Sequence, residues 1–422
     1  MLIYNFWFYL ISCMILFMVC ERGTRMNEPV LYFDYAATTP VDERVIRVMV
    51  DCLGTSGNFG NPASSSHSFG QKARLAVEFA RGQVAHLVGA QASQIIWTSG
   101  ATESSNLAIK GVAQERAKRQ AAVLGGRPGH IITSLIEHKA TLDTARQLEE
   151  EGVDVTWLAP DSEGLISADA VSAALRDDTF LVSLMLVNNE LGTVNDIAEI
   201  GRRVRGHGAL LHVDAAQGAG KLPIDLSQLA VDLMSLSAHK IYGPKGVGAL
   251  YVGPRAQQRV LAQIHGGGHE CGLRSGTLAT HQIAGMGAAF ALAAEVLGEE
   301  VVEVQRLSDL LCERLAKIPG VRINGSPTQR IAHTLSFTFT HNDLDVAALG
   351  ESLAFSSTSA CNSAKKLPSH VLLALGLSPQ AASQTIRLSL GRFTREQDIE
   401  RAVDSIRASL IQPAFWAVAQ AR

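Results

Sequence analysis

Leu233-Met-Ser-Leu-Ser-Ala-His-Lys240 is an apolar run that ends in a lysine and breaks at once into Ile241-Tyr-Gly-Pro-Lys-Gly246. The pattern predicts a buried strand that delivers Lys240 to its carboxyl end, beside a glycine-rich turn. Open α/β sheets collect ligands at that end, and an amine desolvated there can lose its charge and become a nucleophile that forms Schiff bases. Upstream, Ala209-Leu-Leu-His-Val-Asp-Ala-Ala-Gln217 predicts another strand, with Asp214 at its end. A carboxylate so placed is the partner that keeps a pyridine nitrogen protonated, and the lysine and aspartate together point to pyridoxal phosphate (PLP). Either residue alone reads more simply as a surface charge or a helix cap. Ser237, His239 and Gln217 crowd the same two strand ends, and polar groups clustered in this way are costly to bury unless something binds among them.

Around these strands the chain alternates. Leu31–Pro40 predicts a short strand turning into a helix near Val41, and Gly54–Ala63 is a loop by composition. A helix over 68–87 leads to a strand at 95–98, and Ser99-Gly-Ala-Thr-Glu-Ser-Ser-Asn106 opens another helix, whose free N–H groups suit a phosphate. Strands near 131–133, 153–158 and 180–187 alternate with helices near 139–150, 168–175 and 194–206. This alternation predicts an α/β fold, a mostly parallel sheet covered by helices on both faces. Alanine-rich helices follow from about Leu278 to Ile318, and then the pattern changes. Strands at 334–340 and 386–390, and a capping box at Thr394-Arg-Glu-Gln397, predict a smaller α+β domain. The expected organisation is an apolar extension over 1–25, a large domain over 26–285 and a small domain over 286–422, with 26–40 packing on the small one.

The 422 residues are 47% hydrophobic and 18% charged, with a net charge of -3, which excludes an electrostatic footprint for nucleic acid. Six cysteines (Cys13, Cys20, Cys52, Cys271, Cys312, Cys361) lack paired spacing, which argues against a disulfide framework or a zinc site and for a reducing compartment. Met1 to Cys20 carries no charge and has the length of a membrane span, although it lacks the basic start and cleavage site of a secretory signal. A start at Met26 is the preferred explanation, with a cytoplasmic protein expected and a membrane anchor as the alternative. Phe355-Ser-Ser-Thr-Ser-Ala-Cys-Asn-Ser-Ala364 surrounds one thiol with small and hydroxylic residues. An inert buried cysteine has large apolar neighbours, so Cys361 reads as reactive, with Lys365 and Lys366 nearby favouring its thiolate.

Asp34-Tyr-Ala-Ala-Thr-Thr-Pro40, Thr98-Ser-Gly-Ala-Thr-Glu103, Glu137-His-Lys139, Asn188-Asn-Glu190, His212-Val-Asp-Ala-Ala-Gln217, Ser237-Ala-His-Lys240 and Ser359-Ala-Cys361 resemble, in this order, the motifs of the cysteine desulfurases. These are class V aminotransferase relatives with the PLP-dependent transferase fold type I, and the likeness is nearest to their housekeeping iron-sulfur branch, IscS. Residues 1–25 have no counterpart there. The resemblance implies that Lys240 carries PLP and moves protons, that Asp214 holds the ring nitrogen, and that Gln217 and Asn189 bond the ring oxygen. It implies that His138 stacks on the ring and serves in proton transfer. The phosphate would fall to Ala101, Thr102, Ser237 and His239, with Thr277 reaching in from a second subunit of a homodimer. Arg387 would grip the carboxylate of L-cysteine in a bidentate fork, with Asn61 beside it.

By the same resemblance, Cys361 takes the sulfur as a persulfide, leaving L-alanine, and passes it to an iron-sulfur scaffold protein or to acceptors for tRNA thiolation. Cys361 would also be able to share an iron-sulfur cluster with the scaffold. The chain departs from the family at Cys271, where an arginine is expected, and at Lys365-Lys366. The alternatives are a selenocysteine lyase or another PLP-dependent C–S lyase, which needs Cys361 less, and a non-enzymatic membrane-tethered interaction protein.

Overall fold

The computed structural model describes residues 29–121, 129–340, 343–357 and 368–411. The apolar segment before Met26 and the loop with Cys361, Lys365 and Lys366 lie outside the described residues. Seven strands form the central sheet in the order Ile95–Thr98, Gly248–Val252, Leu233–Ser237, Leu210–Asp214, Thr179–Met185, His130–Ser134, Asp154–Leu158. Only Gly248–Val252 runs against the others. The parallel pairing follows from the helices that connect the strands, and burial on both faces explains why the middle strands read as mainly apolar runs rather than as an alternation of apolar and polar residues. Val213, Met234 and Leu236 lie in the core on one side with Val84 and Phe290, while Leu210, Leu233 and Leu250 pack with Ile109 and Leu148 on the other.

A second, antiparallel sheet has the order Ser356–Ser357, Thr385–Ser389, Thr334–Phe339, Val321–Asn324. Its core of Phe337, Leu388, Ile386 and Ile399 also takes in Leu31 and Phe33, because Leu31–Tyr32 pairs with Leu353–Ala354. The start of the described chain is thereby stitched to its last third.

Thr280–Ala316 is one continuous helix where several were expected. Its first half supplies Ile283, Met286 and Phe290 to the first core, and its second half supplies Val304, Leu307 and Leu311 to the other. The expected division at residue 285 falls inside it. The expected capping box at Thr394 is also corrected. Thr394 Oγ1 accepts from Gly391 N (3.0 Å), and the helix Glu396–Ala408 starts one residue later, with Arg395 N donating to Asp398 Oδ2 (2.9 Å). Among the described residues, no helix is long and apolar enough to cross a membrane.

Candidate active site

A cavity of about 500 Å³ opens where Met185, Asp214 and Ser237 end their strands. Lys240, His239, Gln217, Asn189, His138, Arg387, Ala101 and Thr102 line it with them, so most of the residues singled out from the sequence share one site.

The strand carrying Lys240 stops at Ser237, and a tight turn brings the lysine back over its end. Tyr242 makes that turn at φ 65°, a left-handed conformation that strains a residue with a Cβ. Tyr242 N donates to Thr39 Oγ1 (2.7 Å), and the Arg392 guanidinium sits 4.1 Å from its ring centroid, held in turn by Asp42 (3.0 Å) and Glu300 (2.8 Å). Asp42 N donates to the Tyr242 carbonyl (3.0 Å), so the turn is over-determined from three sides, as stored strain requires. Lys240 Nζ donates to the carbonyls of Ala36 (2.6 Å) and Ala37 (2.9 Å).

The Asp214 carboxylate accepts one hydrogen bond among the described residues, from Ala216 N (2.9 Å). Burial raises its pKa, and the bond from Ala216 N, with the nearby His138 and Lys240, only partly offsets this. A buried carboxylate so poorly compensated calls for a cationic N–H donor. Burial holds the His138 pKa below the usual range, and its Nδ1 accepts from Ala140 N (3.2 Å), which leaves the proton of the neutral ring on Nε2. His239 is pushed down to about 4 by burial and then by the charge of Lys240, and its Nδ1 meets Thr38 Oγ1 at 3.2 Å. A neutral imidazole can donate to a phosphate without adding charge.

Two buried polar atoms of the lining, Asn189 Oδ1 and Arg387 Nε, have no hydrogen-bond partner among the described residues. With the poorly compensated Asp214, Arg387 Nε is what a ligand with a ring cation and a carboxylate would satisfy, and the Asn189 carboxamide, turned over, would present an N–H to a ring oxygen, so the residues present fit PLP and an amino acid. Phosphate fits the first turn of the helix Ala101–Ala121, whose N–H groups have no intrahelical partner. The loop before it lies flat on the sheet because residue 248 is glycine, where a Cβ would stand 2.6 Å from Gly100 Cα.

Two expectations, for Asn61 and Arg387, are not met within the chain, and that for Thr277 concerns a second subunit. Asn61 is exposed, outside the cavity lining, with Oδ1 accepting from Ala63 N (2.9 Å). Thr277 is exposed and also outside the lining, at the end of a loop that Glu270 anchors through Arg81 (2.7 Å) and Trp97 N (2.7 Å). Arg387 does not present a free fork. Its Nη2 donates to Asp34 (2.8 Å) and Ser356 (2.6 Å), and its Nη1 to the Asn189 carbonyl (2.8 Å).

Sequence reasoning missed the Ala36 and Ala37 carbonyls, Lys245 and Gly246 of the lining, and the Asp34–Arg387 pair. Main-chain acceptors leave no trace in residue type. Asp34, the first residue of a quoted motif, was the available signal for the pair.

The family model for aminotransferase class-V matches residues 31–402. Cysteine desulfurase IscS of Pseudomonas aeruginosa (strain LESB58) is 56% identical over 378 residues, 89% of this chain and 91% of that protein. Cysteine desulfurase IscS of Pseudomonas savastanoi pv. phaseolicola is 54% identical with the same coverage. Among solved structures, a NifS-like protein is similar with a TM-score of 0.80 and 36% identity over 90% of this chain and 98% of its own. SspA in complex with cysteine has a TM-score of 0.75 and 40% identity over 86% of this chain and 100% of its own. With the family model spanning nearly the whole described chain and IscS enzymes more than half identical to it, the chain belongs to the class-V aminotransferases, among the cysteine desulfurases.

Proposed function

We propose that this protein removes sulfur from L-cysteine with PLP, giving L-alanine and a persulfide on Cys361. The observation that carries the reading is the single cavity that gathers a strand-end lysine, a strand-end aspartate and two unsatisfied polar atoms beside a free helix N-terminus. PLP, when bound, supplies an electron sink that weakens the C–S bond of the substrate. Asp214 keeps the ring nitrogen protonated, and its poor compensation by the protein is the drive for that contact. Gln217, and Asn189 with its carboxamide turned over, would donate N–H groups to the ring oxygen, while Ala101, Thr102, Ser237 and His239 would hold the phosphate. The Nε2–H of His138 and the amine of Lys240 hand protons to and from the substrate. Arg387 meets the substrate carboxylate with its unused Nε–H, sharing its guanidinium with Asp34. The Cys361 thiolate attacks the substrate sulfur, the C–S bonding pair leaves with the substrate carbon, which takes a proton to become the methyl group of alanine, and the sulfur stays on Cys361 as a persulfide. A thiolate is the soft nucleophile this requires.

The working unit in this reading is a homodimer. Leu75 and Phe79 are 70% and 71% exposed on the helix Ser68–Leu87, beside the exposed Leu53, Phe59 and Phe69, an apolar patch that a lone chain would leave in water. Thr277 and Asn61, exposed here, complete a cavity across that dimer. The sulfur passes to an iron-sulfur scaffold or other acceptor in the cytoplasm. We further propose a division into a large PLP-binding unit and a smaller C-terminal one that carries the thiol loop.

Intact mass after exposure to L-cysteine tests the reading. The protein should gain one sulfur and release alanine, and Cys361→Ala should gain none while keeping the visible band of bound PLP. Sulfur gain in Cys361→Ala but not in Cys271→Ala would move the acceptor to Cys271, which is exposed.

A further inference from the structure

Lys221 is a buried lysine that does not line the cavity. After Asp214 the chain coils through bonds from Gly218 N and Ala219 N to Ala215 O, and this brings Lys221 Nζ to 2.9 Å from Gln217 Oε1. The other end of the same carboxamide donates from Nε2 to the Ala36 carbonyl (2.8 Å). Toward an amide oxygen the lysine can only donate, and a carbonyl can only accept, so the two neighbours fix the amide in one of its two orientations. Turning it over would set donor against donor and acceptor against acceptor at once. The orientation leaves one N–H of Gln217, which lines the cavity, for a ligand.

We propose that Lys221 is a positioning residue that holds the Gln217 N–H toward the ring oxygen of the cofactor and so sets the protonation equilibrium of bound PLP. The proposal rests on the reading of Gln217 as the partner of that oxygen. Lys221 is not there for stability. Burial, then the charge of Lys240, pushes its pKa down to about 7, with Glu300 opposing and Arg387 adding to the fall, and His333 feels its charge from the start of a neighbouring strand. Even uncharged, the amine keeps N–H groups to donate, so the amide stays oriented on both sides of neutral pH.

The test is a pH titration of the visible absorption of the holoenzyme, for the unaltered protein, Lys221→Met, Gln217→Leu and the double variant. A donated N–H stabilises the ring oxygen most once the neighbouring nitrogen has lost its proton, so removing it raises the midpoint. Each single variant should raise it by about one pH unit, a tenfold change in the equilibrium. The double variant should titrate where Gln217→Leu does. A Lys221→Met shift that adds in full to the Gln217→Leu shift would reveal a direct effect of charge and overturn the proposal, as would the absence of any shift in Lys221→Met. No shift in Gln217→Leu would instead overturn the reading of Gln217 on which the proposal stands. Lys221→Leu, which likewise has no donor, carries the same test if the methionine variant does not fold.

Discussion

His212 and Asp214 stand on one strand and, by the period of two, on the same face of the sheet, about 7 Å apart along the chain. Both are buried and both are polar, yet they are treated in opposite ways. His212 has a partner on each ring nitrogen, Ser183 Oγ and Ser235 Oγ, each at 2.8 Å, and Ser235 continues to Ser105 at 3.1 Å. Burial pushes its pKa down to about 3, so it is neutral and satisfied. Asp214 has one backbone donor and a pKa raised by burial. The sheet can evidently satisfy a polar side chain at this depth, so the deficit at Asp214 marks a place completed by something other than protein. At these two positions, the satisfied polar group holds the sheet together and the unsatisfied one marks where it binds.

Substitution at the two positions should separate these roles. Asp214→Ala removes the partner of a buried ring cation, an effect of about 3–5 kcal/mol, on the order of a thousandfold in turnover. Thermal stability without PLP should hold or rise, because an uncompensated carboxylate has gone. Near-normal alanine release from Asp214→Ala would remove the distinction between the two sites. His212→Ala is expected to do the reverse. It leaves the Ser183 hydroxyl without its partner, Ser235 with Ser105 alone and a hole in the sheet, destabilising the protein by about 3 kcal/mol in denaturant titrations. The visible spectrum of bound PLP should barely change. A large spectral change there would show that the serine and histidine network reaches the cofactor.

The sheet was legible because its middle strands are buried on both faces, so Leu210–Val213 and Leu233–Leu236 read as mainly apolar runs, interrupted only by His212 and Ser235, with Asp214 and Ser237 at their ends. The site was legible for the same reason, since a polar residue that ends such a run has nowhere to go but the cavity. Lys221 was not legible. It sits in Gly218-Ala-Gly-Lys-Leu222, where a lysine reads as a solvated turn residue, and only the coil after Asp214 turns it inward. Nor was the engagement of Arg387 by Asp34, more than three hundred residues away in sequence, since the pairing depends on how Asp34 bridges to Ser389 beside the second sheet. The long helix was hidden by its glycines. Gly285 and Gly287 suggest breaks, but they are there for close packing, against Met49 and Ala80.

His333 sharpens the comparison, being fully buried, outside the cavity lining and without a hydrogen-bond partner on either ring nitrogen among the described residues. Burial, then the charge of Lys221, pushes its pKa down to about 3, against about 6.5 in an unfolded chain. Between those values the unfolded state binds the proton and the folded state does not, so stability rises with pH there. The contribution is complete above pH 6.5 and is lost progressively as the pH falls toward 3. From pH 7.5 to 5.0 this one group should remove about 2 kcal/mol, at 1.36 kcal/mol for each pH unit below 6.5. His333→Leu deletes the titrating group and its two unpaired nitrogens together. The variant should be at least as stable as the unaltered protein at pH 7.5 and should lose about 2 kcal/mol less on going to pH 5.0. Urea titrations of both proteins at the two pH values measure this, and equal losses would mean that burial does not depress the His333 pKa in the folded protein.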